Sequence, residues 1–209
     1  MFTRRTFLQS AAVAAAPAVL VKSASAVDAN DRINSSNTYG FIAEVIAVEV
    51  DPDTACVRIL RYVSVHDAGT IINPAIAEGQ IYGGALHGLG GALWEELQYD
   101  ATGQCLTATL MDYPIPRATQ APRLDIVHLS SPSPLTLLGS KGLGESSAMT
   151  VPAAIANAVS DALAPLGVRV TELPLTPARL WTLIEQARGR PPAPAPPDSG
   201  TSRRSPRPS

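Results

Sequence analysis

The chain is poor in aromatic residues, which make up only 5% of its 209 positions. That removes the stacking platforms on which single-stranded nucleic acid is usually held. Positive charge is not in excess either: 16 basic residues stand against 18 acidic ones, a net charge of −2, so the basic footprint of a nucleic-acid binder is missing. Cysteine is nearly absent. Cys56 and Cys105 are the only two, and they form no Cys-x-x-Cys pair, no metal-ligand cluster and no set able to hold an iron–sulfur centre. They read as two buried thiols on strands, although an oxidising compartment would permit a disulfide. A membrane span is excluded for the apolar run Ala11 to Val21, which is well short of the ~20 residues required.

What is present is enough apolar material, 45% of residues, to bury a core. The N-terminus has the layout of an export leader: Arg4-Arg5 with Phe7-Leu8, then the Ala/Val-rich run, then Ala24-Ser25-Ala26 as a small-residue cleavage site. The paired arginines resemble a twin-arginine signal; an ordinary secretory leader is the alternative. Residues 1–26 are therefore expected to be a leader that sends the protein to the periplasm. Residues 27–38 are expected to be a polar linker, 39–188 the folded domain, and 189–209 a Pro- and Arg-rich disordered tail.

Within the domain, β-branched residues from Tyr39 to Val50 predict a strand, Asp51-Pro52-Asp53-Thr54 a turn, and Cys56 to His66 a second strand. Asn73-Pro74 is a helix start, cap followed by proline. The helix it opens is expected to run to about Leu97, yet it contains Gly79, Gly83, Gly84, Gly88, Gly90 and Gly91. Each glycine costs about 1 kcal/mol against alanine in a helix interior, so something outside the helix must hold it. Either another element packs closely on a face without side chains, or a large ligand lies there. Gln80 and His87, seven apart, project on one side with Gly84 between them. Strands are expected around Gln104–Thr109, Leu124–Ser130 and Val168–Val170, a second helix from Thr150-Val151-Pro152 to Ala164, and a third from Thr176-Pro177 to Ala187. His128 falls on the polar phase of its strand. The fold class is mixed α/β (α+β): a mainly antiparallel sheet with the Gly-rich helix and the two later helices packed on it. A domain of this kind should also expose an apolar surface where a partner sits.

Between these helices lies Leu138-Gly139-Ser140-Lys141-Gly142-Leu143-Gly144-Glu145, too glycine-rich for a helix. Gly142 and Gly144 permit positive φ and close approach of another molecule, and successive N–H groups there can form an anion nest. Glu145 ends the loop, placed to reach a substrate. A nucleotide phosphate loop does not fit, because the four-residue gap before Gly-Lys-Ser/Thr is missing.

Several stretches, in order, resemble the C-terminal molybdopterin-binding domain of the xanthine oxidase/aldehyde oxidase family, most nearly its periplasmic isoquinoline 1-oxidoreductase type. They are Val65-His66-Asp67-Ala68-Gly69 with Ile72-Asn73-Pro74; Glu78-Gly79-Gln80-Ile81-Tyr82-Gly83-Gly84 with His87-Gly88-Leu89-Gly90; Met111-Asp112-Tyr113 with Pro116-Arg117; Pro132-Ser133-Pro134; Gly139-Ser140-Lys141-Gly142-Leu143-Gly144-Glu145; and Pro152-Ala153-Ala154-Ile155-Ala156-Asn157-Ala158. The resemblance implies a molybdenum hydroxylase acting on an aldehyde or N-heterocycle. Its cofactor would be a molybdenum–molybdopterin, possible also as the cytosine dinucleotide. Glu145 matches the family's general base at the molybdenum centre, and Gln80 a glutamine that hydrogen-bonds the pterin. Gly83, Gly84, Ser140, Lys141, Gly142 and Gly144 would line the cofactor. His87 stands where many relatives have a second glutamine. The chain is shorter than such large subunits, so it is expected to be a truncated portion that acts only with the rest of the large subunit or an equivalent chain. Electrons would leave through iron–sulfur clusters on a small partner subunit. The alternative is a non-catalytic remnant or association domain that cannot hold the cofactor alone.

Overall fold

The structure, a computed structural model, describes residues 8–16 and 38–189. It contains a sheet of four strands in the order β1 (Leu8–Ala16), β2 (Phe41–Val50), β3 (Val57–Asp67) and β4 (Leu124–Leu129). The pairs β1–β2 and β2–β3 are antiparallel and β3–β4 is parallel. The expected hairpin is present. Its turn is closed by Ala55 N–H donating to Asp51 O at 2.7 Å and Asp51 N–H to Cys56 O at 3.0 Å. A shift of register between Ala47 and Val48 leaves Leu60 out of the pairing. The strand β1 falls within the stretch read as an export leader. Its other residues, the linker up to residue 37 and the tail from residue 190 lie outside the described residues.

Three helices complete the fold: α1 (Pro74–Leu93), α2 (Ser146–Leu163) and α3 (Pro177–Ala187). Asn73 caps α1 by accepting from Ile76 N–H, and Thr176 caps α3 by accepting from Arg179 N–H, as the Asx/Thr-Pro starts require. α1 stops four residues before Leu97 because the N–H groups of Trp94 and Glu95 both turn back to Gly90 O. α2 begins four residues before Thr150 and carries Pro152 inside the helix, where the missing N–H removes one i→i−4 hydrogen bond. The segments Gln104–Thr109 and Val168–Val170 are not strands; the first contributes only the isolated bridge Tyr99–Cys105. Both are too short of partners to extend a sheet whose fourth position is taken by β4.

α2 packs over β1 and β2, and α1 packs on α2. Ile46, Val48 and Tyr62 from the sheet, Ile81 and Leu89 from α1, Ile155 and Val159 from α2, and Leu180 and Ile184 from α3 form one core. The glycines of α1 divide by role. A Cβ on Gly88 would lie 2.7 Å from Val151 Cβ, so this glycine lets α2 approach, whereas one on Gly84 would sit in ordinary contact, 3.6 Å from Ser147 Cβ. A Cβ on Gly79, Gly83 or Gly91 would meet nothing within 4 Å. Close packing therefore explains some of the glycines and not others. Neither cysteine is a buried strand thiol: Cys56 is exposed, Cys105 is half-buried, and both are free. Cys56 ends the hairpin turn and Cys105 sits in the irregular segment, so no strand face covers them. Apolar side chains do remain exposed, among them Leu110, Met111 and Leu137. Among the described residues no helix is long and apolar enough to cross a membrane.

Candidate functional site

The end of β3 and the loop before α2 are joined through backbone. Lys141 N–H donates to Ala68 O at 2.8 Å and Thr70 N–H to Gly139 O at 3.1 Å, with Gly69 bridged to Ser140. Positive φ occurs at Gly69 (66°) and Gly139 (73°) and not at Gly142 or Gly144. A Cβ on Gly69 would run into Gly139 O, and one on Gly40 would lie 2.6 Å from Gly142 O. The close approach expected of the loop is thus to its own chain at Gly139. Its N–H groups are in part consumed there, which removes Lys141 N–H from any anion nest.

The Lys141 ammonium is engaged within the chain. It donates to Asp67 Oδ2 at 3.1 Å and to Ser131 Oγ at 2.6 Å, and lies 5.4 Å from the centroid of Phe41. Asp67 also accepts from Gly69 N–H and Ser131 N–H, each at 3.0 Å, and from the Ser131 hydroxyl. Burial raises the Asp67 pKa, but the Ser131, Gly69 and Lys141 hydrogen bonds outweigh it and hold the carboxyl well below the usual range. Asp67 was not apparent as a site residue from sequence. Its signal is its position, one residue after the inward-facing His66 and two before Gly69.

The loop then passes α1. Gln80 Nε2 donates to Gly144 O, which fixes the amide at the rim of an open cleft of about 410 Å³ lined by Gln80, Gly83, Gly84, His87, Gly144 and Glu145. A second cleft of about 400 Å³ shares Gln80 and Gly144 and adds Ser140, Lys141 and the apolar Ile72, Ile76 and Leu143. The structure therefore gathers Gln80, Gly83, Gly84, His87, Ser140, Lys141, Gly144 and Glu145 along one groove. Gly142 is exposed but lines neither part. Glu145 is the N-cap residue of α2, exposed, lining the first cleft and making no side-chain capping bond.

Beneath the groove lies a buried polar group that the sequence reading passed over. Glu44, Ser64, His66, Ser147 and Thr150 are each 2% exposed or less. Burial raises the Glu44 pKa, opposed by hydrogen bonds from Ser64 and its neighbours. Burial, and then the nearby His128, lowers His66 to about 4, so it is neutral. The signal was available: Glu44, Ile46, Val48 and Val50 share one phase of β2, and a carboxylate on the apolar phase of a strand is a buried polar group.

Residues 3–122 match the molybdopterin cofactor-binding domain family. The nicotine 6-hydroxylase large subunit of Paenarthrobacter nicotinovorans is 45% identical over 135 residues, 65% of this chain and 16% of that protein. The 6-hydroxypseudooxynicotine dehydrogenase complex subunit gamma of the same organism is 41% identical over 151 residues, 72% of this chain and 19% of that one. The crystal structure of quinoline 2-oxidoreductase from Pseudomonas putida 86 superposes with a TM-score of 0.68 at 44% identity, covering 70% of this chain and 19% of that chain. The chain spans less than a fifth of the length of each of these relatives.

Proposed function

The chain belongs to the molybdopterin-binding large subunits of the xanthine oxidase family, and on that premise we propose that its groove forms one wall of a molybdenum–pterin site, with Glu145 as the general base. One observation carries this reading. Gly83 and Gly144 border the groove, neither has positive φ, and a Cβ on either would meet nothing within 4 Å. Nothing among the described residues accounts for glycine there, and in α1 it costs about 1 kcal/mol. A large ligand lying directly on the backbone accounts for both.

The residues present fit such a group. Gln80, anchored on Gly144 O, keeps its Oε1 and second N–H for a heterocycle edge. His87 offers a ring nitrogen two turns further along the same face of α1, in place of a second amide. Ser140 and the backbone to Gly144 form the other bank. When bound, the molybdenum–pterin supplies Lewis acidity and takes up two electrons. Glu145 contributes at its carboxylate oxygens, where it accepts the proton released as a water-derived oxygen is passed to an aldehyde or N-heterocycle carbon. Lys141 acts through Asp67 and Ser131 to hold the loop.

The remaining parts of the enzyme follow from the same reading: other residues of a large subunit to close the groove, and a small iron–sulfur subunit to accept electrons. The cofactor is proposed as the molybdopterin, with its cytosine dinucleotide form as the variant to be distinguished by nucleotide release. The periplasm is the proposed location, supported by Arg4-Arg5 and Ala24-Ser25-Ala26. N-terminal sequencing of the exported protein tests it: a start at Val27 supports a leader, whereas retention of Leu8–Ala16 keeps β1 in the sheet.

The functional test uses the chain assembled with a complementing large-subunit portion and an iron–sulfur subunit. Glu145→Gln should leave molybdenum content unchanged and abolish hydroxylation. Turnover retained in that variant removes Glu145 as the base.

A further inference from the structure

We propose that Glu44, Ser64 and His66 are positioning residues, a buried relay that sets the first turn of α2 and with it the place of Glu145. The proposal rests on the reading of Glu145 given above. The geometry is directional. The Ser64 hydroxyl donates to Glu44 Oε1 at 2.9 Å, and the Thr150 hydroxyl donates to the same oxygen at 3.2 Å. Ser64 Oγ, its proton spent, accepts from His66 Nε2 at 2.6 Å. That fixes the Nε2–H tautomer and leaves Nδ1 as an acceptor. Ser147 Oγ lies 3.3 Å from the same Nε2. Two strands thus hold α2 by polar contacts at Ser147 and Thr150, two and five residues beyond Glu145.

Glu145 itself makes no side-chain capping bond, and its carbonyl accepts from Met149 N–H of this turn, so its position follows the turn. On the opposite side the turn meets Gly84 and Gly88 of α1, which carries Gln80. The relay and the glycines together set the distance between the two groove walls.

The arrangement is costly for a core. His66 Nδ1 is buried without a hydrogen-bond partner among the described residues, and the Tyr62 hydroxyl is buried against the Glu44 carboxyl. An apolar set of the same volume would serve stability better. Glu44 and Ser64 are direct cross-strand partners, flanked on the same face by the pair Ile46–Tyr62 on one side and the pair Ile42–His66 on the other. A polar line in that setting trades stability for one defined placement of α2.

Hydrogen exchange on the full chain tests this without any cofactor, so it stands or falls separately from the molybdenum–pterin reading. Ser64→Ala, Thr150→Val and His66→Leu should each speed exchange of the 145–150 amides by about tenfold. His66→Gln, whose side-chain N–H can replace the Nε2 donor, should stay near wild type. In protein labelled with 13C at glutamate carboxyls, the Glu145 resonance (assigned with Glu145→Gln) should move in His66→Leu and stay in place in His66→Gln. Should His66→Leu not fold, Thr150→Val, which exchanges one hydroxyl for a methyl, carries the same test. Three results overturn the proposal: unchanged 145–150 exchange, exchange raised equally in β2 and α3, or faster exchange with an unmoved Glu145 resonance.

Discussion

Lys141 Nζ stands 3.1 Å from Asp67 Oδ2 across 74 residues of sequence, with side chains only 10% and 13% exposed. This is a sheltered pair, not a screened surface one. Removing one partner leaves the other charge in a place where water cannot compensate, which typically costs about 3–5 kcal/mol. Asp67→Asn is therefore expected to lower unfolding free energy by about 3 kcal/mol and Asp67→Asn/Lys141→Met by less than the sum of its singles. Denaturant melts of the double-mutant cycle measure this. Additive effects would show that the two side chains act independently.

The pair also sets an acid limit. The Asp67 pKa is depressed, so its stabilisation is complete above the ordinary value of 3.8 and is lost as pH falls below it. Asp67→Asn should thus resemble wild type more closely as pH drops below 3.8.

His66 gives a different window. Its folded value of about 4 lies below the ordinary 6.5, so between the two the unfolded chain binds the extra proton. Stability then falls as pH falls from 6.5 toward 4, by an amount on the order of 3 kcal/mol. Glu44, raised by burial, acts with the opposite sign above 4.5. The difference between wild type and His66→Gln isolates the histidine, because Gln does not titrate. That difference should shift against wild type on going from pH 7 to pH 4.5 in thermal melts; a pH-independent difference would mean His66 is not held neutral.

Gly83 and Gly88 should answer alanine in opposite ways. At Gly88 the new methyl meets Val151 Cβ at 2.7 Å, whereas at Gly83 it meets nothing within 4 Å. Gly88→Ala is expected to destabilise by about 1–3 kcal/mol through overpacking. Gly83→Ala should stabilise the free chain by about 1 kcal/mol and, if a cofactor lies on the groove, lower its retention. Melting temperature and molybdenum content of the assembled enzyme read the two effects separately.

Cys56 and Cys105 should titrate as two free thiols, Cys56 first, since it is exposed and Cys105 half-buried. A thiol reagent added before and after denaturation checks this. A chain giving no free thiol would contradict the structure.

Much of the fold was legible from local chemistry. Asp51-Pro52-Asp53-Thr54 marked the hairpin turn, and Asn73-Pro74 and Thr176-Pro177 marked the starts of α1 and α3 to the residue. The start of α2 was not legible, because Glu145 caps it without a side-chain bond and Pro152 looked like the opening residue. The strands expected at 104–109 and 168–170 failed because β propensity does not supply a partner. The partner of the Lys141 ammonium was not legible for a similar reason: Asp67 is remote in sequence.

By itself the sequence determined the helix caps, the hairpin, the glycine-rich α1 and the family to which the motifs point, since each is encoded within a few adjacent residues. The tertiary structure alone decided which glycines face α2 and which face open space. It also decided that positive φ belongs to Gly69 and Gly139, that Lys141 serves Asp67, and that Glu44, Ser64 and His66 meet Ser147 and Thr150 under the groove. Those outcomes depend on contacts between segments far apart in the chain, and such contacts are fixed only when the whole core packs.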